Sequence, residues 1–370
     1  MDLFIYGTLQ STTLMQAVAG GSVPATEPAQ LADYGVFRLQ DHVVPLIRPL
    51  KGAAAKGVVF AGLSANQIAR LDLFEGAFGY HRCSVIVTTE EGQRNVACYM
   101  PDAALESDGD WSFTGWCAQH EAPTVLAARE LFSHNPLPDQ ITLRAMWPMI
   151  ENRAWSKHRA TAGPATHRYT PEDGDISIAH MYPPNGTFFR YQPFEVTHKQ
   201  FQGGQSPLLS REIFMGVDAA VLLPYDPVRD RVIMVEQLRM GPVMRHDPNP
   251  WMLEPVAGIV DARETPEDAA RREAVEEAGV TLTHVEHTGS FYPSPGASTD
   301  YYYTYVGLCD LPMDQPYFGG IPGEHEDIRV HPMSFDAAMD LLDTGEIGTG
   351  PLFYLLYWLA RHRDRLRSLT

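Results

Sequence analysis

At 370 residues, 44% of them hydrophobic and 20% charged, the chain has the composition of a soluble globular protein and is long enough for two cores. Its formal net charge of −18 argues against non-specific adhesion to nucleic acid or to an anionic membrane, and an anionic substrate needs local help from a metal ion or an arginine. The four cysteines, Cys83, Cys98, Cys117 and Cys309, lack metal-ligand spacing and read as free thiols of a cytoplasmic protein.

The first residues hold no basic leader followed by a long apolar run, so no signal peptide is read. Residues 3–6 form an apolar run that ends in Gly7, a strand entering a tight turn. Further strands are expected at 43–47, 57–60, 84–88 and 96–99, the last two separated by a Glu-Glu-Gly turn. Residues 64–74 read as a helix, with Ser64 as cap and Ile68, Leu71 and Phe74 on one face.

Three pieces of this region, FIYGTL at 4–9, LDLFEGAFGYHR at 71–82, and the strand, acidic turn and strand ending in ACYM, together resemble the γ-glutamylcyclotransferase-like (AIG2-like) family. The resemblance implies a small α+β domain built on a β-barrel. In it the loop Tyr6, Gly7, Thr8 and Leu9 would cradle a γ-glutamyl group with backbone atoms, and Glu75 would shuttle a proton as an α-amine attacks its own γ-amide. Holding amine and amide together makes that reaction unimolecular, so positioning and one general base suffice. The alternative is a domain that binds a metabolite without turning it over.

From residue 106 the composition becomes polar, and two helices are expected at 114–133 and 138–159, the second with Pro148 as a potential kink. Trp111, Trp116, Trp147 and Trp155 read as packing residues, since no basic stripe accompanies them. The Gly-, Pro- and Thr-rich residues 161–175 read as a linker. The expected organisation is therefore a first domain at 1–105, a helical extension and linker at 106–175, and a second domain at 176–370.

In the second domain, strands are expected at 188–194, 196–201, 219–224 and 232–238. They lead into GIVDARETPEDAARREAVEEAGV at 258–280. Thr265 can cap a helix there, Pro266 sits at its first position, and Gly279 suits a left-handed C-terminal cap. Glu273 and Glu277 lie four apart on one face, a like-charge arrangement that costs an isolated helix about 0.2–0.5 kcal/mol and that a hard divalent cation relieves.

Gly258, Glu264, Arg272-Glu273, Glu276-Glu277 and Gly279 together resemble the Nudix box at every fixed position. The resemblance implies a Nudix α/β/α sandwich that hydrolyses a pyrophosphate link with Mg²⁺, Mn²⁺ being the alternative ion. Glu273 and Glu277 would be ligands, with the Ala257 carbonyl able to join and Glu276 close by, while Glu264 would pair with Arg272 to fix loop against helix. The flanking VEQLRMG, LEPVAG and FYPSPGASTDYYYTYVG resemble the ADP-ribose pyrophosphatase, tellurite-resistance-type branch, which is marked by a proline beyond the box, here Pro295. The branch implies ADP-ribose as substrate and AMP and ribose 5-phosphate as products, with a sugar nucleotide or NADH as alternatives.

By the same resemblance Arg239 would contact the phosphates, as a guanidinium suits phosphate geometry, the alternative being an exposed strand-end arginine. An acidic loop carries Glu324 and Glu326 as equal candidates to activate water. Asp300 stands where a glutamate is frequent in the branch, and the basic residue common near Met215 or Asp218 is not present. The resemblance also implies a homodimer in which strands before the box reach a partner. Residues 351–360 are apolar but too few to span a bilayer and read as a C-terminal core helix with a basic, solvated end.

Overall fold

The computed structural model describes every residue except Ala103, Ala104, Thr161, Ala162, Pro164, Pro322, Glu324, His325, Leu369 and Thr370. It divides into two compact units, Met1–Phe188 with Glu195–Leu209, and Phe189–Phe194 with Ser210–Thr370.

The first unit contains β1 (Leu3–Ile5), α1 (Thr12–Ala19), β2 (Thr26–Leu39), β3 (Pro45–Phe60), α2 (Ala65–Ala77), β4 (Tyr80–Thr89), β5 (Gly92–Pro101), β6 (Ser107–Asp110), α3 (Phe113–Leu131) and α4 (Gln140–Arg159). The strands run in the order β3-β1-β5-β4-β2-β6, and a further β3–β2 pairing closes the first five into a barrel. In β1 the side chains alternate: Leu3 and Ile5 join the cluster formed with the helices, while Phe4 joins Leu31, Ile47, Val59 and Val96 in a cluster drawn from the strands. Ser64 caps α2 through a capping box with Gln67. Trp116, Val125, Leu131 and Leu143 bring α3 and α4 into the same core as α1 and α2, and α4 continues through Pro148.

The runs at 43–47 and 57–60 are the two ends of one strand, β3, whose partner β2 was not expected at all. The two pair from Thr26↔Phe60 to Arg38↔Pro45. The middle of this hairpin is too polar and too rich in glycine and alanine to show an apolar period, so backbone pairing with the neighbour holds it extended.

The second unit carries β10 (Asp218–Asp226), β11 (Arg231–Leu238), α5 (Met240–Arg245), β12 (Trp251–Glu254), β13 (Val256–Ile259), α6 (Pro266–Glu276), β14 (His284–Phe291), β15 (Tyr301–Leu308), β16 (Tyr317–Gly319), β17 (Ile328–Ser334), α7 (Phe335–Thr344) and α8 (Gly350–Arg367). Its mixed sheet has the order β14-β15-β10-β11-β17-β16, with β12 on β11 and β13 on β10. Both faces are covered. Ala220, Leu222, Ile233 and Val235 pack under α6, whereas Val221, Leu223, Val232 and Met234 pack under α7 and α8. This α/β/α sandwich explains the nearly unbroken apolar run of β10.

A separate sheet joins β7 (Ile176–Met181), β8 (Arg190–His198) and β9 (Leu209–Met215) in that order. The two strands expected at 188–194 and 196–201 are therefore largely one strand, because no turn residue interrupts Glu195–Val196. No helix among the described residues is long and apolar enough to cross a membrane. The apolar C-terminal run lies inside α8, which buries Leu352, Leu355, Leu356 and Leu359.

Candidate active site

The best-organised group of charged side chains lies where β13 feeds the loop before α6. Thr265 caps that helix: its hydroxyl accepts from the Asp268 N–H at 3.1 Å and donates to the Asp268 carboxylate at 2.6 Å. At the other end Gly279 has φ +62° and the Val280 N–H reaches back to the Ala274 carbonyl at 3.0 Å. Ala269, Ala270, Ala274 and Ala278 are wholly buried, so the helix seats on the sheet through small residues and presents its acids along one edge.

Arg272 ties these acids together. It donates to both oxygens of Glu264, at 3.0 and 3.1 Å, to the Ile259 carbonyl at 3.0 Å, to Glu273 at 2.5 Å and to Glu276 at 2.8 Å. The surrounding acids raise its pKa further above the usual guanidinium value, Glu264 foremost. Gly258 permits the geometry: a Cβ there would lie 1.8 Å from the Glu273 Oε1, so the absent side chain leaves the space the carboxylate occupies.

Glu277 is buried, at 2% exposure, and accepts from the Ala257 N–H at 2.9 Å. Desolvation pushes its carboxyl up to about 8, against the pull of that N–H, with Glu273 and Glu326 adding repulsion. Desolvation likewise pushes Glu273 up to about 7, opposed by Arg272. Arg239 donates to Glu254 at 2.6 Å, and loss of solvent raises the Glu254 carboxyl in spite of that partner.

Among the described residues no three His, Cys, Asp or Glu side chains converge closely enough to hold an ion. Arg272 draws Glu273 and Glu276 toward itself while the Ala257 N–H holds Glu277. The donor chemistry nevertheless suits a hard divalent cation. Desolvated carboxylates that repel one another are oxygen ligands whose charge is otherwise poorly compensated.

Glu326 lies near enough to Glu273 and Glu277 to raise both, and accepts from the Ile321 N–H at 3.4 Å; Glu324 lies outside the described residues. Pro295 sits exposed on the turn in which the Ala297 and Ser298 N–H groups both donate to the Ser294 carbonyl. A neighbouring clasp was not expected. Asp300 accepts from the Val217 N–H at 3.3 Å, Ser298 donates to the same carboxylate, and a Cβ on Gly216 would lie 1.7 Å from its Oδ1. A shorter acid that holds its own loop to Gly216–Val217 accounts for aspartate at this position.

In the first unit, Gly7 leaves β1 so close to Pro45 that a Cβ would lie 2.7 Å from the proline ring, and Gln10 donates through its backbone and side-chain N–H groups to the Gly7 and Tyr6 carbonyls. Tyr6 and Leu9 are buried and Thr8 half-buried in the turn that follows. Glu75 is half-buried on α2, and desolvation pushes its carboxyl up to about 7. Burial raises Tyr6, Tyr80, Cys98 and Tyr99, and the Glu75 carboxylate adds to each of these shifts; the Tyr80 hydroxyl donates to the Pro45 carbonyl at 2.8 Å.

A sandwich with an arginine-locked acidic helix on one face of its sheet defines a class of hydrolase, and comparison with known proteins identifies it. Residues 216–354 match the NUDIX domain, and residues 3–113 match the family described as gamma-glutamyl cyclotransferase, AIG2-like. Over 181 residues the chain is 38% identical to the ADP-ribose pyrophosphatase of Escherichia coli (strain K12), an alignment that covers 49% of this chain and 86% of the relative. Against the ADP-ribose pyrophosphatase of Haemophilus influenzae it is 36% identical over 183 residues, 49% of this chain and 84% of the relative. A GDP-mannose pyrophosphatase of Enterobacter sp. is 30% identical over 149 residues, 40% of this chain and 76% of the relative. The chain belongs to the Nudix family, as a hydrolase acting on pyrophosphate bonds, and carries an AIG2-like domain in front.

Proposed function

We propose that the protein is a cytoplasmic, Mg²⁺-dependent pyrophosphatase that hydrolyses ADP-ribose to AMP and ribose 5-phosphate. The observation that carries this reading is the arginine-locked set Glu264, Glu273 and Glu276 beside buried Glu277, with Gly258 left bare to admit one carboxylate. The similarity to ADP-ribose pyrophosphatases supports the substrate.

Glu273, Glu277 and the Ala257 carbonyl would hold the ion, with Glu276 beside them. When bound, Mg²⁺ neutralises charge on the phosphate oxygens. Glu326, or Glu324 two residues before it in the sequence, takes a proton from water as the water oxygen bonds to phosphorus, and the bridging P–O bond breaks with its electron pair passing to the departing phosphate. Arg239 binds the phosphates, kept extended by Glu254, while Pro295 shapes the neighbouring substrate loop. Arg272 and Glu264 keep the loop in register with the helix.

Initial rates on ADP-ribose, GDP-mannose and NADH with Mg²⁺ test the substrate; a preference for either of the latter two overturns it. Along the chain we assign 1–105 to the AIG2-like domain, 106–175 to its helical extension and a linker, and 176–370 to the Nudix domain. In the front domain Glu75 would shuttle the proton of a γ-glutamyl cyclisation over the Tyr6–Leu9 loop, which 5-oxoproline release tests. The Glu75 carboxyl, which loss of solvent raises to about 7, suits a proton shuttle near neutral pH. A homodimer is favoured by the exposed apolar residues Phe189 and Phe214 of the second unit, and light scattering decides it.

A further inference from the structure

β16 and the residue after it meet the C-terminal end of α6, Glu276 to Ala278, at three successive points. The Tyr317 hydroxyl donates to the Ala278 carbonyl at 2.7 Å. Gly319 packs so tightly that a Cβ there would lie 1.8 Å from the Glu277 carbonyl oxygen. The Gly320 N–H donates to the Glu276 carbonyl at 3.0 Å. Carbonyls at a helix C-terminus lack intrahelical donors, so these contacts answer a need of the backbone. On its other side Gly320, at φ +90°, faces Glu326: a Cβ would lie 3.0 Å from the Glu326 Cβ, and the adjoining Ile321 N–H donates to the Glu326 carboxylate at 3.4 Å. One short stretch of backbone thus touches the helix end that carries Glu276 and Glu277 on one side and Glu326 on the other. Tyr317 and Gly319 are anchored in turn by pairing with Val330 and Ile328 of β17.

We infer that Tyr317, Gly319 and Gly320 form a bracket that sets the spacing between Glu326 and the acids of α6, making them positioning residues for hydrolysis. The inference rests on the proposed role of Glu326 in taking the proton from water. Backbone makes the bracket because a side chain would swing, whereas a hydrogen-bonded strand holds its place. The Tyr317 phenol adds a fixed strut from a half-buried ring.

The test uses the full chain, with Tyr317→Phe and Gly319→Ala made singly and each in a Glu326→Gln background. Three quantities are read: kcat, KM, and Mn²⁺ affinity by electron paramagnetic resonance. Displacing a reacting group by about 1 Å costs on the order of a hundredfold, so kcat falls ten- to a hundredfold in Gly319→Ala and less in Tyr317→Phe. KM and Mn²⁺ affinity stay within about twofold, because the short edge strand β16, held by β17 alone, gives way before the end of α6, which is seated on the sheet through buried alanines. In the Glu326→Gln background neither change has a further effect, since both act through that carboxylate.

Unchanged kcat in the folded variants, Mn²⁺ affinity falling in step with kcat, a full further loss in the Glu326→Gln background, or a fully active Glu326→Gln each overturns the bracket. If Gly319→Ala fails to fold, Tyr317→Phe decides alone. Glu277→Gln separates this inference from the reading beneath it. A fully active Glu277→Gln removes the metal assignment itself, whereas an inactive one beside unaltered bracket variants overturns the bracket alone.

Discussion

Glu277→Gln separates what the site does for catalysis from what it costs the fold. The Glu277 carboxyl is buried and pushed up to about 8 from an ordinary 4.5, so without metal the folded protein holds this proton more tightly than the unfolded chain. Stability contributed by the neutral acid is therefore complete below pH 4.5 and falls as pH rises towards 8, where ionisation in the folded state levels the loss. At about 1.4 kcal/mol per pKa unit, the penalty near pH 8 is about 4 kcal/mol. Glutamine keeps an acceptor for the Ala257 N–H and removes the charge. The metal-free variant is then expected to melt about 8–16 °C above the parent at pH 8, from about 2–4 °C per kcal/mol for a unit of this size, and to match it at pH 4. Glu273, pushed up to about 7, keeps part of the parent's slope in the variant. Adding Mg²⁺ stabilises the parent and not the variant, and hydrolysis is lost. Thermal melts at several pH values with and without Mg²⁺, run beside a hydrolysis assay, are the measurement. A variant no more stable than the parent at pH 8 without metal, or one that hydrolyses normally, refutes the reasoning.

Gly258→Ala places a methyl group where Glu273 now sits, so the carboxylate must swing away; activity should fall at least tenfold while stability, read by urea denaturation, drops by only about 1 kcal/mol. Arg239→Ala removes the proposed phosphate contact and leaves the desolvated Glu254 without its 2.6 Å partner. We expect kcat/KM to fall at least tenfold in steady-state kinetics, and unchanged kinetics would remove Arg239 from the site. Glu75→Gln should abolish 5-oxoproline release. Because burial pushes Glu75 up to about 7, the first unit loses stability between pH 4.5 and 7, and the variant should be about 3 kcal/mol more stable at pH 8; calorimetry showing no gain there contradicts that.

The features legible in the sequence are those set by near neighbours. Thr265, Pro266 and Gly279 mark both ends of α6, and the spacing of Arg272, Glu273, Glu276 and Glu277 follows from helical geometry once those ends are known. The Ser64 cap and the spacing of Ile68, Leu71 and Phe74 announce α2, and the apolar run of α8 its buried face. The long β2–β3 hairpin was not legible, because its polar, glycine-containing residues become strand only when paired. Nor were the contacts that turn a charged helix into a site. Gly258 admits the Glu273 carboxylate, the Ala257 N–H holds Glu277, Asp300 clasps Gly216–Val217, and β16 braces the end of α6. Each joins residues far apart in the chain at ångström distances, and strand register and the seating of a helix on the sheet decide such distances. The residue types and their order along α6 are thus properties of the sequence, while the space, the desolvation and the bracing around them come from the tertiary packing.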